Sequence, residues 1–416
     1  MHPKPEQRER RGFAALPGAY FRFVAMNAAF FAGYSLHTIF VNTFLFRTGS
    51  ELRIVCLYNA VNFAFSILGQ FLGLRLLRRH KPPTLSVAGT VLYTLSYLCI
   101  LLLQERAVDW LVALAFMNGV GAALYYLAYH SYTKVYLGES QRQYGLSLLG
   151  IVQQIIGLTV PTAAGFVTAR GMSGYIAIFI AAVLLAGTSV VLACTLPGAP
   201  VGGEKNALWR MVRDLVPRSR ATRLFWAANF FSGVCRGSFM FLLSLVLLIL
   251  TDNEAVVGLS SSGAALLGIL CYYLIRRTLR RQDTVKQMYF AGIVTVLMTA
   301  VIPIWFCAAT VAAFSVARGA LDHLSENGSV FAIYDEMEVV RAAGHTNEYV
   351  VTAYRETALN LGRSAGIVVY MLAPQDPHSA AVVMAFMAAG SLVSTEIFRR
   401  VFRAAAEERE AMAAAE

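Results

Sequence analysis

Charge is scarce in this chain. Asp, Glu, Lys and Arg make up 14% of its 416 residues, against about 25% in soluble domains, while apolar residues reach 57%. They come in runs rather than in alternation, and the mean hydropathy of +0.58 excludes an ordinary soluble protein of this length. Cysteine is also sparse. The six (Cys56, Cys99, Cys194, Cys235, Cys271, Cys307) stand singly in apolar segments with no CxxC spacing, which points to packing rather than redox or metal chemistry. No G-x-x-x-x-G-K-[ST] stretch is present, so no phosphate-binding loop is expected to energise the protein. HExxH and HxxxH spacings are lacking too, and the loops are too short for an enzyme's active site. No cofactor and no metal are therefore expected. The first residues, MHPKPEQRERRG, are basic, but a full-length apolar segment without a small-residue cleavage site follows them. That predicts an uncleaved first span rather than a signal peptide.

What is present is a series of apolar segments, each long enough for the about 20 residues a bilayer core requires. Twelve are read, near 20–45, 52–77, 84–103, 109–136, 144–169, 173–195, 222–250, 255–279, 285–306, 308–335, 349–373 and 379–402. The formal charge of +11 raises the possibility of a nucleic-acid partner, but its distribution points elsewhere. With the amino terminus inside, 26 Lys/Arg fall in the tails and inner loops, and only Arg47, Arg53, Arg106 and Arg170 in the outer ones. The bias reads as orientation in a cell membrane, with both termini cytoplasmic and no nucleic acid involved.

The longest polar break, 196–221, divides the chain into six spans plus six. The expected organisation is a tail (1–19), a six-helix bundle (20–195), a central loop (196–221), a second bundle (222–403) and a tail (404–416). Within the loop, Leu208, Val212, Leu215 and Val216 suit a short helix on the membrane surface or a solvated linker. Weak symmetry links the halves. An offset of 205 carries Tyr144 onto Tyr349, Gly157 onto Gly362 and Pro161 onto Gly366, and Gly69 with Arg78 and Arg79 is echoed by Gly268 with Arg276 and Arg277.

The chain thus resembles the major facilitator superfamily, over about residues 20–403. The stretch GQFLGLRLLRRHK is similar to that family's loop between spans two and three, keeping Gly69, Arg78 and Arg79 but with Gly73 where the family has an acid. Gly157, Pro161 and Gly165 echo its span-five motif, and VNTFLFRTGS is similar to uncharacterised relatives from Gram-positive bacteria. The resemblance implies an all-α membrane protein of twelve transmembrane helices in two pseudo-symmetric six-helix bundles. It also implies a cavity lined by the first, fourth, seventh and tenth spans.

The densest charge in an apolar context is RGALDHLSEN, residues 318–327. At about 100° per residue, Arg318, Asp322 and Glu326 fall within about 80° of one another, beside His323 and Asn327 and opposite an apolar face. Each charge near mid-membrane costs about 3 kcal/mol. They must therefore pair or face the bundle interior. Arg318 and Asp322 can pair within the helix, while Arg236 and Arg363 are the expected cross-helix partners of Asp322 and Glu326. Two readings stand: a substrate-binding and proton-coupling site, or a fixed network that sets helix register. Arg236, Arg318, Arg355 and Arg363 face Asp322, Glu326 and Glu356, a positive excess that suits an anionic or strongly polar substrate.

The amino-terminal half offers hydrogen bonding instead of charge. Asn118, Tyr125, Tyr129, Tyr132 and Tyr136 form one stripe on span four, and Asn27, Tyr34 and His37 share a face of span one. Asn229 lies seven residues before Arg236 on span seven, and Asn59, Asn62, Gln153 and Gln154 are weaker candidates. The substrate or coupling candidates are thus Asp322, Glu326, Arg318, Arg236, Arg363, Tyr125, Tyr129, Asn118, Asn27, His37 and Asn229. The expected protein is a monomeric, proton-coupled secondary transporter of a small-molecule substrate, working by alternating access in the lipid bilayer. An exporter of amphipathic drugs or lipids and a non-transporting sensor are the alternatives.

Overall fold

The computed structural model describes residues 16–49, 51–137, 139–198, 206–275, 283–343, 349–374 and 376–413, and every regular element among them is helical. Nine stretches are long and apolar enough to cross a membrane by length and composition. One of these, 82–130, is two rods joined by a short 3-10 helix, Gln104–Trp110. Two further rods, 308–342 and 349–372, lie outside the nine because charged and hydrogen-bonding residues interrupt them. The rods are α1 (Gly18–Gly49), α2 (Leu52–Leu77), α3 (Pro82–Leu103), α4 (Leu111–Tyr136), α5 (Glu139–Thr168) and α6 (Met172–Cys194) in the amino half. The carboxyl half has α7 in two pieces (Arg220–Phe239 and Leu242–Thr251), α8 (Glu254–Ile275), α9 (Thr284–Ile304), α10 (Ala308–Ala342), α11 (Tyr349–Leu372) and α12 (Pro377–Ala413).

Local chemistry sets the ends of these rods. Pro82 opens α3 after an extended Lys81, where the missing N–H costs nothing. Asp252, at φ 49, turns the chain sharply between α7 and α8. The central loop carries a short helix, Ala207–Leu215, with Leu208, Met211 and Leu215 buried and Trp209 exposed. Two rods overrun their expected ends. α10 continues from 335 to Ala342, and residues 404–413, expected as a tail, continue α12. At 1.5 Å per residue, 35 residues make about 52 Å of helix, more than the about 30 Å of a hydrocarbon core. Both helices therefore stand clear of the membrane on the side that carries the termini, here the terminal side.

Packing repeats between the halves. α1 packs on α5 and α6, α2 on α4, and α3 on α4 and α6; α7 packs on α11 and α12, α8 on α10, and α9 on α10 and α12. The halves meet along two related seams, α2 with α11 and α5 with α8. One sequence echo has a packing counterpart: a Cβ on Gly69 of α2 would lie 2.6 Å from Ala123 of α4, and one on Gly268 of α8 would lie 2.8 Å from His323 of α10. The other does not. Gly362 admits the Phe230 backbone of α7, whereas Gly157 faces Ala265 across the α5/α8 seam.

Candidate functional site

Between the halves lies a cavity of about 440 Å³, a size suited to a small metabolite. The amino half lines it with hydrogen-bonding and aromatic groups, among them Tyr34, Asn59, Asn62, Asn118, Tyr126, Tyr129, His130 and Gln153. The carboxyl half supplies the full charges: Arg236 from α7, Glu326 from α10, and Arg355, Glu356 and Arg363 from α11. Three arginines face two glutamates, one positive charge in excess.

Their pairing is incomplete. Arg355 Nη1 bonds Glu356 Oε1 at 2.6 Å, and its Nη2 reaches Ser329 Oγ at 3.4 Å. Arg236 Nη1 lies 4.0 Å from Glu326 Oε2, a loose contact with the carboxylate half open to the cavity. Arg363 has no carboxylate partner among the described residues. It donates to Asn360 Oδ1 at 2.9 Å and lies over the Phe63 ring of the other half at 5.2 Å, while its buried Nε has no acceptor. A buried guanidinium donor left open is costly. An arriving anion would satisfy it.

The polar face of α10 divides. Glu326 faces the cavity, whereas Asp322 and Arg318 turn into the carboxyl bundle, lining a recess of about 30 Å³ beside Ser232, Ser325 and Thr395. Arg318 Nε holds Asp322 Oδ2 at 2.9 Å. Its Nη1 donates to the Phe239 carbonyl, where the first piece of α7 ends. The break strands carbonyls, and Arg318 caps one of them. Asp322 thus pairs with Arg318 within its own helix, as their spacing allows, rather than with Arg236 or Arg363, and of the cross-helix expectations only Arg236 with Glu326 has a geometric counterpart. His323 crosses to Gln154 of α5 at 3.0 Å.

Of the amino-half candidates, Asn118 and Tyr129 line the cavity. Asn27 stands behind the wall, donating to Tyr125 Oη at 3.0 Å and accepting from Gln153 at 3.3 Å. Tyr125 is fully buried and stacked on Phe30. The stripe's face therefore points largely into the bundle, and Tyr126 and His130, one residue further on, reach the cavity beside Tyr129. Asn229 is buried and donates to the Phe225 carbonyl at 2.7 Å, outside the cavity lining. The side chain of His37 lies outside the described residues. Sequence reading passed over His130 and Tyr126 and counted Arg355 and Glu356 only as charge. Glu356, Asn360 and Arg363 do stand at i, i+4 and i+7, a helical signal available in the sequence.

On the side opposite the termini, Arg47 at the end of α1 reaches across the halves to Asp252 at 2.5 Å and Glu254 at 3.0 Å. The Tyr175 hydroxyl of α6 lies 3.0 Å from the same Glu254 carboxylate and 3.2 Å from Thr43. Below them, Thr162 bonds Ser262 at 2.7 Å across the α5/α8 seam. These contacts join the halves on the side remote from the termini.

A family model described as Major Facilitator Superfamily matches residues 22–367. Among curated proteins, the chain is 25% identical over 347 residues to an uncharacterised protein, YqgE, of Bacillus subtilis (strain 168), covering 82% of this chain and 79% of that one. An uncharacterised protein in the sodM 3' region of Geobacillus stearothermophilus is 27% identical over 151 residues, 36% of this chain and 71% of that one. Among solved structures, a bacterial homologue of the iron transporter ferroportin in an inward-facing state superposes with a TM-score of 0.70 at 13% identity, covering 92% and 98% of the two chains. A POT family transporter in complex with a thioalcohol-conjugated peptide gives 0.72 at 12% identity over 92% and 96%. The nucleoside transporter NupG gives 0.66 at 13% identity over 93% and 99%.

Proposed function

The chain belongs to the major facilitator superfamily and is a multi-pass secondary transporter of that kind, and from this premise we propose that it moves a small anionic or strongly polar solute, coupled to protons, by alternating access. The observation that carries the reading is Arg363. It is a guanidinium in a cavity between two bundles, without a carboxylate partner among the described residues and with one buried donor open. A carboxylate or phosphate on the solute supplies what Arg363 lacks, and the aromatic and amide groups of α1, α2 and α4 hold the remainder.

Proton coupling is assigned to Glu326. Its carboxylate is half open and only loosely held by Arg236, so it can exchange that arginine for a proton as the halves rock. The lysine and arginine bias supports a cell-membrane orientation in which the terminal side is cytoplasmic. The Arg47 cluster then closes the outer side, and its release opens the cavity outward. The protein works as a monomer in this reading.

The test is flux in liposomes. Purified protein is expected to move members of a labelled panel of small carboxylates and phosphates in response to a pH gradient, and Arg363→Gln to cut that flux about tenfold, the equivalent of about 1.4 kcal/mol. Flux indifferent to the gradient, or full anion flux in Arg363→Gln, would overturn the reading. The aromatic lining from Tyr34, Phe63 and Tyr126 favours a second reading, an exporter of amphipathic compounds. Neutral amphiphiles carried equally well by the Arg363→Gln protein would select it.

A further inference from the structure

On the terminal side, a second groove of about 470 Å³ lies between Phe71 of α2, Trp209 of the loop helix, Trp226 of α7 and Tyr354 of α11. It shares no lining residue with the central cavity, so solute transport does not account for it. Phe71 is 47% and Trp209 64% exposed, so the groove opens outward between them.

The two facing walls carry one pattern. Phe71 lies six residues before the end of α2, and Trp226 six residues after the start of α7, so both aromatics sit about 9 Å from the terminal-side end of their helices. About one turn nearer that end, α2 carries Arg75 and α7 carries Arg223. Arg75 is exposed and has no ion pair among the described residues. Arg223 Nη1 donates to the carbonyls of Val216 at 3.1 Å and Pro217 at 2.6 Å, neutral acceptors that fix the guanidinium at the rim without cancelling its charge. An apolar slot with Arg223 in its lining, and with Arg75 one turn beyond Phe71 on the same face of α2, complements a molecule with an apolar tail and an anionic head.

We propose that this groove is a binding site for an anionic glycerophospholipid, with the phosphate between Arg75 and Arg223 and an acyl chain between Phe71 and Trp226. Phe71 and Arg75 belong to the amino half, and Trp226, Arg223 and Tyr354 to the carboxyl half. On the alternating-access reading proposed above, the lipid thus touches both halves at their seam and favours the arrangement that fits it.

The chain has four tryptophans, so the full chain carrying Trp110→Phe and Trp305→Phe reports from Trp209 and Trp226 alone. Phosphatidylglycerol with brominated acyl chains, titrated in neutral detergent, is expected to quench this fluorescence at least tenfold more tightly than brominated phosphatidylcholine. Arg75→Gln, an exposed substitution, is expected to erase that preference while leaving the phosphatidylcholine curve and the melting temperature unchanged. Equal quenching by the two lipids, or an undiminished preference in Arg75→Gln, would overturn the site. So would competition by free glycerol phosphate as strong as that by unlabelled phosphatidylglycerol, which would mark a soluble anion instead.

Discussion

Arg47 and Glu254, 207 residues apart in sequence, meet at 3.0 Å on the face remote from the termini and join the two halves there. Glu254 is 6% exposed, so losing its cation leaves a nearly buried charge unpaired. Arg47→Gln should favour the arrangement in which this face is open by about 1–2 kcal/mol, roughly a fivefold to thirtyfold shift in population. Spin-label distances between the halves on this face should lengthen. Unchanged distances in Arg47→Gln would remove the pair from the closing contacts.

The divided polar face of α10 predicts two different phenotypes from neighbouring carboxylates. Glu326→Gln should keep solute exchange across liposomes of equal pH but lose accumulation driven by a pH gradient. Asp322→Asn leaves Arg318, the cap on the broken α7, without its anion, and should lower the melting temperature by a few degrees while accumulation persists. The reverse pattern would move the coupling role to Asp322.

Beyond the span, where α10 stands clear of the membrane, Glu336 is fully buried and accepts from Thr222 Oγ1 at 2.6 Å. Glu408 of α12 holds Ser219 Oγ at 2.8 Å and the Ala221 N–H at 3.0 Å close by. Burial first, and then the charge of Glu408, push the Glu336 carboxyl up to about 8. The folded protein therefore binds this proton more tightly than the unfolded chain, whose glutamates titrate near about 4.3. The stability is present at low pH and declines as pH rises towards 8. Glu336→Gln should flatten this slope, with a gain in melting temperature larger at pH 8 than at pH 6. A gain equal at both values would contradict the burial of an ionisable proton there.

Close backbone contact between α7 and α11 predicts a steric phenotype. A Cβ on Gly362 would lie 2.1 Å from the Phe230 carbonyl oxygen, and one on Gly233 would lie 2.3 Å from that of Leu359. Backbone cannot swing aside, so Gly362→Ala should destabilise by about 1–3 kcal/mol, read as a lower melting temperature in detergent. Gly187→Ala, with open space around the new methyl, serves as the control and should not lower that temperature.

Part of the candidate site's placement was legible before the fold. RGALDHLSEN read as one face of a membrane helix because charges are costly there, and Glu326 does reach a cavity shared with Arg236 and Arg363. Which charge met which was not legible. Helical spacing places Arg318, Asp322 and Glu326 on one arc, but that arc is wide enough to face two compartments. The break in α7 at Phe239 decided that Arg318 turns to a stranded carbonyl and takes Asp322 with it. The tyrosine stripe of α4 follows from helical spacing, yet Tyr125 packs on Phe30 while Tyr126 reaches the cavity. A hydrophobic pattern locates a face on its own helix and says nothing of the neighbour that face meets.

By itself, the sequence determined the class of molecule. Long apolar runs must leave water, each must satisfy its backbone internally as a helix, and scarce charges inside them must be paired or put to use. Tertiary structure alone decided which of the carboxyl half's charges reach the cavity, that Arg47 meets Asp252 and Glu254, and that Phe71 and Trp226 line one groove. Contacts between residues hundreds of positions apart depend on how helices cross, and that is set by the packing of the whole rather than by the periodicity of any one segment.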